Sequence, residues 1–278
     1  SLSFASEIKA ILADPTIDRE IDFEALGLYL RLNYIPAPWT IFKNIQKVMP
    51  GQFLVFEGGK LEKCKYWKLP NTDRKIDESK SLNSIKTELF RLGRQAVDRR
   101  LIADVPLGAF LSGGIDSSIV VGLMDGLMDR PVKTFSIGYK ALPFYDETDY
   151  AKEVAAFHRT DHREFRLSYQ DVLDAIPEVL DDFDEPFADS SAIPTYIVSR
   201  ETRREVTVAL SGDGADELFA GYRKYSGEYW YRYYSFLPKH FRESVLKRFF
   251  GGLPRSRSRK IFEYLRRADK FVQGAHDS

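Results

Sequence analysis

The stretch Val105-Pro-Leu-Gly-Ala-Phe-Leu-Ser-Gly-Gly-Ile-Asp-Ser-Ser118 sets the reading of the whole chain. Val105 to Leu111 is an apolar strand, and Ser117 to Leu127 has the spacing of a helix. Between them the adjacent glycines Gly113 and Gly114 let the backbone approach a ligand without a side chain in the way. A strand passing into a helix through such a loop makes an anion cradle. Free N–H groups at the helix start point at the bound group, and the helix dipole adds about 0.3 to 1 kcal/mol at exposed sites. Ser112, Ser117 and Ser118 offer hydroxyl donors to phosphate oxygens. Phosphate repels Asp116 unless a cation lies between them, which implies Mg²⁺, a hard ion that prefers carboxylate, water and phosphate oxygens. The loop also reads as an ordinary Gly-Gly turn with Asp as helix cap, and alone it does not decide between the two.

Outward from this loop, strand and helix alternate. Leu82 to Arg100 is a helix, Val132 to Ile137 a strand, Tyr150 to His158 a helix and Arg163 to Arg166 a short strand. Asp171 to Asp181 and Ile193 to Arg203 are helices, and Val206 to Leu210 a strand. Such alternation predicts an α/β doubly wound domain, a parallel sheet with helices on both faces. Ligands of these sheets sit at the carboxyl ends of the strands. The first 70 residues differ: helices Ala5 to Ala13 and Phe23 to Asn33, then strands Gln52 to Glu57 and Lys60 to Trp67 about Gly58-Gly59, too few for a complete sheet. From Ala215 to Ser278 the chain reads as helical, aromatic and, after Lys239, basic; such a stripe can bind nucleic acid but more often is a solvated face.

A second loop, Leu210-Ser-Gly-Asp-Gly-Ala-Asp-Glu-Leu218, repeats the strand-to-helix design with carboxylates in place of hydroxyls. The spacing of Asp213, Asp216 and Glu217 would set all three on one side of a helix start, where a metal relieves their repulsion best. Acidic helix capping is the plainer reading. Two such loops on two strand ends fit a magnesium nucleotide held between them.

Composition narrows the class. The chain has 278 residues, 44% hydrophobic and 29% charged, which is ordinary for a folded protein of one large domain plus a smaller piece. Lys+Arg and Asp+Glu are equal at 41 each, so net charge gives no reason to expect nucleic acid or an anionic membrane as partner. No apolar run approaches the roughly 20 residues needed to span a bilayer, and the N-terminus does not read as a signal peptide; a cytoplasmic enzyme is the expectation. The single cysteine, Cys64, reads as a strand residue with no local base to activate it. His158 and His162 are four apart, as in a zinc pair, but no third ligand stands nearby.

The loop Ser112-Gly-Gly-Ile-Asp-Ser117 resembles the pyrophosphate loop of the ATP pyrophosphatases, which lacks the Gly-Lys-Ser/Thr ending of the Walker loop. Within that group the chain is similar to the glutamine-hydrolysing asparagine synthetases. The matching stretches are Pro106 to Ser118, Thr134-Phe-Ser-Ile-Gly138, Tyr145-Asp-Glu147 with Ala151 to Ala155, Asp184-Glu-Pro-Phe-Ala-Asp-Ser-Ser191 and Leu210 to Tyr222, in family order. The resemblance implies ATP and Mg²⁺ as cofactors and a role for each position. Leu111, Ile137 and the Ser211-Gly212 backbone would hold adenosine. Ser112, Gly113, Gly114, Asp116 and Ser117 would hold pyrophosphate, and Asp116 with Asp216 would share the metal. Asp213 stands where well-studied members have Glu at a position tied to aspartyl-adenylate formation. Asp189-Ser190-Ser191 lacks the Arg that some members carry near the acceptor.

Residues 1–70 resemble the end of the family's Ntn-hydrolase-type glutaminase domain, on Phe4-Ala-Ser-Glu-Ile-Lys-Ala10 and Tyr34-Ile-Pro-Ala-Pro-Trp-Thr-Ile-Phe42, and 71–278 its synthetase domain. The catalytic N-terminal Cys and the C-terminal helices with a late Lys do not match, so the chain reads as an internal fragment, inactive or partial by itself. What the resemblance implies for the parent is ATP-dependent amidation of aspartate with ammonia from glutamine, releasing AMP and pyrophosphate. Its partners would be small molecules, without nucleic acid or membrane, and a homodimer is compatible with it. Ring closure or amidation on another acid, as in β-lactam synthetases, a nucleotide-binding module without turnover, and a tRNA-modifying pyrophosphatase are the alternatives.

Overall fold

The computed structural model describes residues 2–70, 79–140 and 146–238, together with residues 240, 242, 266, 268, 269, 271 and 272. The chain divides into two compact units, Ser1–Ser211 and Gly212–Ser278.

In the first unit, α1 (Ile8–Ile11) is a single turn, much shorter than the Ala5 to Ala13 expected, and α2 spans Phe23–Leu32. The Asp22 carboxylate caps α2 by accepting from the amides of Glu24 and Ala25. Asn33 ends it in the left-handed region at φ 67°, a conformation Asn tolerates. Strands β1 (Gln52–Glu57) and β2 (Lys60–Lys65) form an antiparallel hairpin. Its turn residues Gly58 and Gly59 lie at φ 57° and 78°, the geometry that matches a two-residue loop to strand twist. Cys64 lies half-buried on β2 opposite Phe53.

The sheet beyond is the parallel one expected. α3 (Leu82–Leu101), β3 (Leu107–Phe110), α4 (Ile115–Asp125), β4 (Lys133–Tyr139), α5 (Thr148–Phe157), β5 (Asp161–Leu167), α6 (Tyr169–Asp182), α7 (Ala192–Thr202) and β6 (Val208–Leu210) follow in order. The strands lie in the order β5-β4-β3-β6, every pair parallel. Alternation along β4 explains the two helical layers, because successive side chains of a strand leave opposite faces. On one face, Gly138 sits so near α5 that a Cβ there would lie 2.6 Å from Thr148 Cγ2. On the other, Ile137 and Tyr139 pack with Leu167, Ala175 of α6 and Ile197 of α7. The larger core joins Leu107, Ala109 and Leu111 to Val97 of α3, Val121 and Met124 of α4, and Ala151 and Ala155 of α5. Full burial of a Leu or Val side chain contributes about 1.5 to 3 kcal/mol, so this layer anchors the α4 end of the sheet.

Several boundaries differ from expectation. α5 begins at Thr148 rather than Tyr150, because the Asp146 carboxylate accepts from Thr148 N at 3.1 Å and Thr148 Oγ1 at 2.6 Å. α6 begins at Tyr169, where Ser168 and Asp171 form a reciprocal capping box. β3 begins after Pro106, whose carbonyl accepts from Thr207 N at 2.8 Å. The second unit contains α8 (Ala215–Phe219) and α9 (Arg223–Ser235); most of the helical, basic tail expected after Lys239 lies outside the described residues. Among the described residues no helix is long and apolar enough to cross a membrane.

Candidate nucleotide site at the carboxyl edge of the sheet

β3 leads through α4 to β4 on one side, and the last strand, β6, pairs with β3 on the other. The connections therefore diverge at the carboxyl end of β3, the kind of switch point where open α/β sheets bind ligands. The loop Ser112–Ser117 leaves the sheet there. Ser211, just past β6, follows Leu210, which is paired with Ala109 two residues before Leu111.

The loop is held by its own atoms. Leu111 is fully buried and its N–H donates to Phe135 O at 2.8 Å, extending the ladder one residue beyond the strand. Gly113 lies at φ +82°, and a Cβ there would sit 2.6 Å from both Ala151 N and Tyr150 Cβ, so the loop packs directly against the start of α5. Gly114, at φ −67° and ψ 160°, is the N-cap of α4. Ser112 Oγ accepts from Gly114 N at 3.2 Å, and Ser117 Oγ, on a buried residue, accepts from Ser112 N at 3.2 Å. The two hydroxyls are 3.0 Å apart.

This geometry divides the work that the sequence assigned jointly to three serines. Ser117 Oγ donates to Gly114 O at 3.2 Å and Ser118 Oγ to the same carbonyl at 2.7 Å, so both shape the loop. What the loop can offer an anion is the first-turn amides of α4, at Ile115, Asp116 and Ser117, which have no acceptor within the helix, and the exposed Ser112. Asp116 is half-exposed in that first turn. Among the described residues no three of His, Cys, Asp and Glu group into a ready metal site. A single carboxylate beside anion-binding amides still suits Mg²⁺, which keeps several waters and takes phosphate oxygens with only one or two carboxylates.

Ile137, assigned to the adenosine, is half-buried on the face of β4 that meets α6 and α7. The close approach of Gly138 to Asp146 and Thr148 fixes the way the chain leaves that strand. Hydrogen bonding from Thr148 holds the Asp146 carboxyl below its usual range. Tyr150, 63% exposed beside Gly113, is a further residue at this edge that loop spacing gave no reason to single out.

Gly212, Asp213 and Asp216 belong to the second unit. There the expected one-sided trio of carboxylates is not formed. Gly214 takes φ +92° as the N-cap of α8, so Asp213 precedes the helix and only Asp216 and Glu217 stand in its first turn. A Cβ on Gly221 would collide with Asp216 Oδ1, and the Gly221 N–H donates to Asp216 O at 3.0 Å. Glu217 accepts from Tyr222 Oη at 2.6 Å, which lowers the carboxyl pKa and pushes the phenol up to about 12. The two histidines are separated in role: His158 Nδ1 lies 2.9 Å from Asp125 Oδ2, while His162 lies between Thr134 Oγ1 at 2.9 Å and Ser136 Oγ at 3.2 Å.

A family model described as asparagine synthase matches residues 89–278. The chain belongs to the asparagine synthase family. A second model, a glutamine amidotransferase domain, matches residues 1–67. This family member is 41% identical over 244 residues to a putative glutamine-hydrolysing asparagine synthetase of Methanocaldococcus jannaschii, covering 86% of the chain and 46% of that protein. It is 38% identical over 223 residues to asparagine synthetase 1 of Bacillus subtilis, covering 80% of the chain and 34% of that protein. The chain thus spans less than half the length of these relatives. Among solved structures it is similar to an NH3-dependent NAD synthetase from Campylobacter jejuni at 16% identity and a TM-score of 0.35, covering 49% of this chain and 60% of that one, too distant to carry any inference. The family explains why one chain joins a two-stranded hairpin to a parallel sheet: the two regions match different models.

Proposed function

We propose that the protein containing this chain makes an amide by activating a carboxylic acid, aspartate in the first instance, with ATP, and that its nitrogen comes from glutamine. The observation that carries this reading is the placing of the Ser112–Ser117 loop at the switch point of the sheet, with α4 amides free to bind an anion. We assign residues 1–70 to an amidotransferase-type region and 71–278 to the synthetase-type region.

In the reaction the substrate carboxylate attacks the α-phosphorus, the bond to the β-phosphate oxygen breaks, and pyrophosphate departs. Ammonia then displaces AMP from the acyl group and loses a proton to solvent, leaving the amide. The amides of Ile115, Asp116 and Ser117, with Ser112, hold the leaving pyrophosphate, a task of positioning and charge neutralisation. Leu111, Ile137 and Ser211 as the adenosine contacts are supported by the motif alone. Mg²⁺, when bound, neutralises phosphate charge, with Asp116 as a ligand. Asp216 as a second ligand and Asp213 in adenylation are supported by the motif alone.

The test is the stoichiometry of product on the full-length protein with a panel of acids. One asparagine per AMP with aspartate is the expected outcome. A cyclised product from another acid would move the assignment to ring closure, and AMP-free binding would remove it.

A further inference from the structure

Residues 1–67 and 89–278 match two different family models, and within the first compact unit hydrogen bonds join the early segment to the last residue of α6 and the turn that follows it. Glu185 is divided between two partners. One carboxylate oxygen accepts from Ile41 N at 3.2 Å, and the other accepts from Lys47 Nζ, which also donates to Ile35 O at 2.8 Å. Asp184 accepts from Lys9 N at 3.0 Å and lies 3.4 Å from Lys9 Nζ, which donates to Asp182 O at 3.1 Å. Ala188 N donates to Asn33 O at 2.9 Å. The Asp184 and Glu185 side chains are only 14% and 17% exposed, so each charge depends on these partners. The turn leads into α7, where Ile193 and Tyr196 pack on the same buried cluster, Leu167, Ala175 and Ile197, as Ile137 and Tyr139 of β4. A shift of the turn would therefore be felt at the carboxyl end of that strand.

Non-specific packing would hold two regions together with area. Here paired charges and directed backbone hydrogen bonds define one register between them. We propose that Glu185, with Asp184, is a positioning residue that keys the amidotransferase-type segment to the sheet, so that nitrogen released from glutamine is used on the activated acid rather than lost to solvent. This rests on the function proposed above.

The experiment uses the full-length protein and the variants Glu185→Gln and Lys47→Met, which break the pair from opposite sides. Glutamate and AMP are measured with glutamine as nitrogen source, and AMP with ammonium salt. In both variants the glutamate formed per AMP should rise roughly threefold or more while ammonium-supported AMP formation is kept. The double variant should be little worse than either single one, since both act on one contact. An unchanged ratio, or a proportional fall with both nitrogen sources as loss of folded protein would give, overturns the proposal. Wild-type protein that forms no AMP with either nitrogen source would sink the proposed function and this inference together; coupled wild-type turnover with unaltered variants would sink this inference alone.

Discussion

Ser112 Oγ and Ser117 Oγ lie 3.0 Å apart, closing the loop onto the first turn of α4. Ser117 Oγ also receives Ser112 N and donates to Gly114 O, both at 3.2 Å, so one hydroxyl ties three residues of the loop together. Replacing Ser117 with Ala leaves Ser112 N and Gly114 O without that partner. Chemical denaturation should show a loss of about 1 to 3 kcal/mol, and nucleotide affinity should fall with it. Unchanged stability and affinity would mean that the loop is shaped by other forces.

Gly113→Ala should be worse. The residue lies at φ +82°, and its new methyl would meet backbone as well as side chain, at Ala151 N and Tyr150 Cβ. A left-handed residue other than Gly costs about 1 to 3 kcal/mol before any clash is counted. Gly27, inside α2 with nothing within 4 Å of its would-be Cβ, is the control. Gly27→Ala should stabilise by about 0.5 to 1 kcal/mol, since Gly loses more chain entropy in a helix. Equal effects of the two substitutions on thermal unfolding would contradict the strained-loop assignment.

The Tyr222–Glu217 hydrogen bond predicts a titration. Hydrogen bonding to Glu217 raises the phenol pKa from 10.0 to about 12. A raised folded-state pKa gives stability that is present below the unfolded value and is lost as pH climbs through the folded one. The tyrosinate absorbance of wild type minus that of Tyr222→Phe should therefore show one phenol ionising near 12, and Glu217→Gln should return it toward its ordinary range. A difference curve centred at 10 in the wild type would disprove the contact.

Because phosphate and Asp116 repel one another without a cation, ATP binding should require Mg²⁺. Asp116→Ala should weaken the magnesium complex by about 1 to 3 kcal/mol, the cost of removing a charged partner. Calorimetry giving the same affinity in a chelator as in Mg²⁺ would refute Asp116 as a metal ligand.

The loop and the sheet that carries it were legible because their signals are local. Gly113-Gly114 between an apolar strand and a helical pattern marks the loop, and the alternation around it gives the parallel sheet. α4 starts at Ile115, two residues before the Ser117 that the spacing predicts, since Gly114 caps the helix through its backbone and has no side chain to announce it. The Asp213, Asp216 and Glu217 trio failed because spacing assumes a continuous helix and Gly214 turns left-handed between the first two. Nothing local marks Ile41 as the partner of Glu185 across 144 residues of sequence; only tertiary packing creates that contact.

The cut made in ATP tests the central claim most directly. The full-length protein should be given ATP labelled in its α-phosphate, with Mg²⁺, aspartate and ammonia, and the labelled product identified. A loop that grips the leaving β and γ phosphates requires all the label in AMP, with one pyrophosphate per AMP, and Asp116→Asn should abolish release of both. Label in ADP, with inorganic phosphate as the other product, would contradict the assignment of Ser112–Ser117 to pyrophosphate.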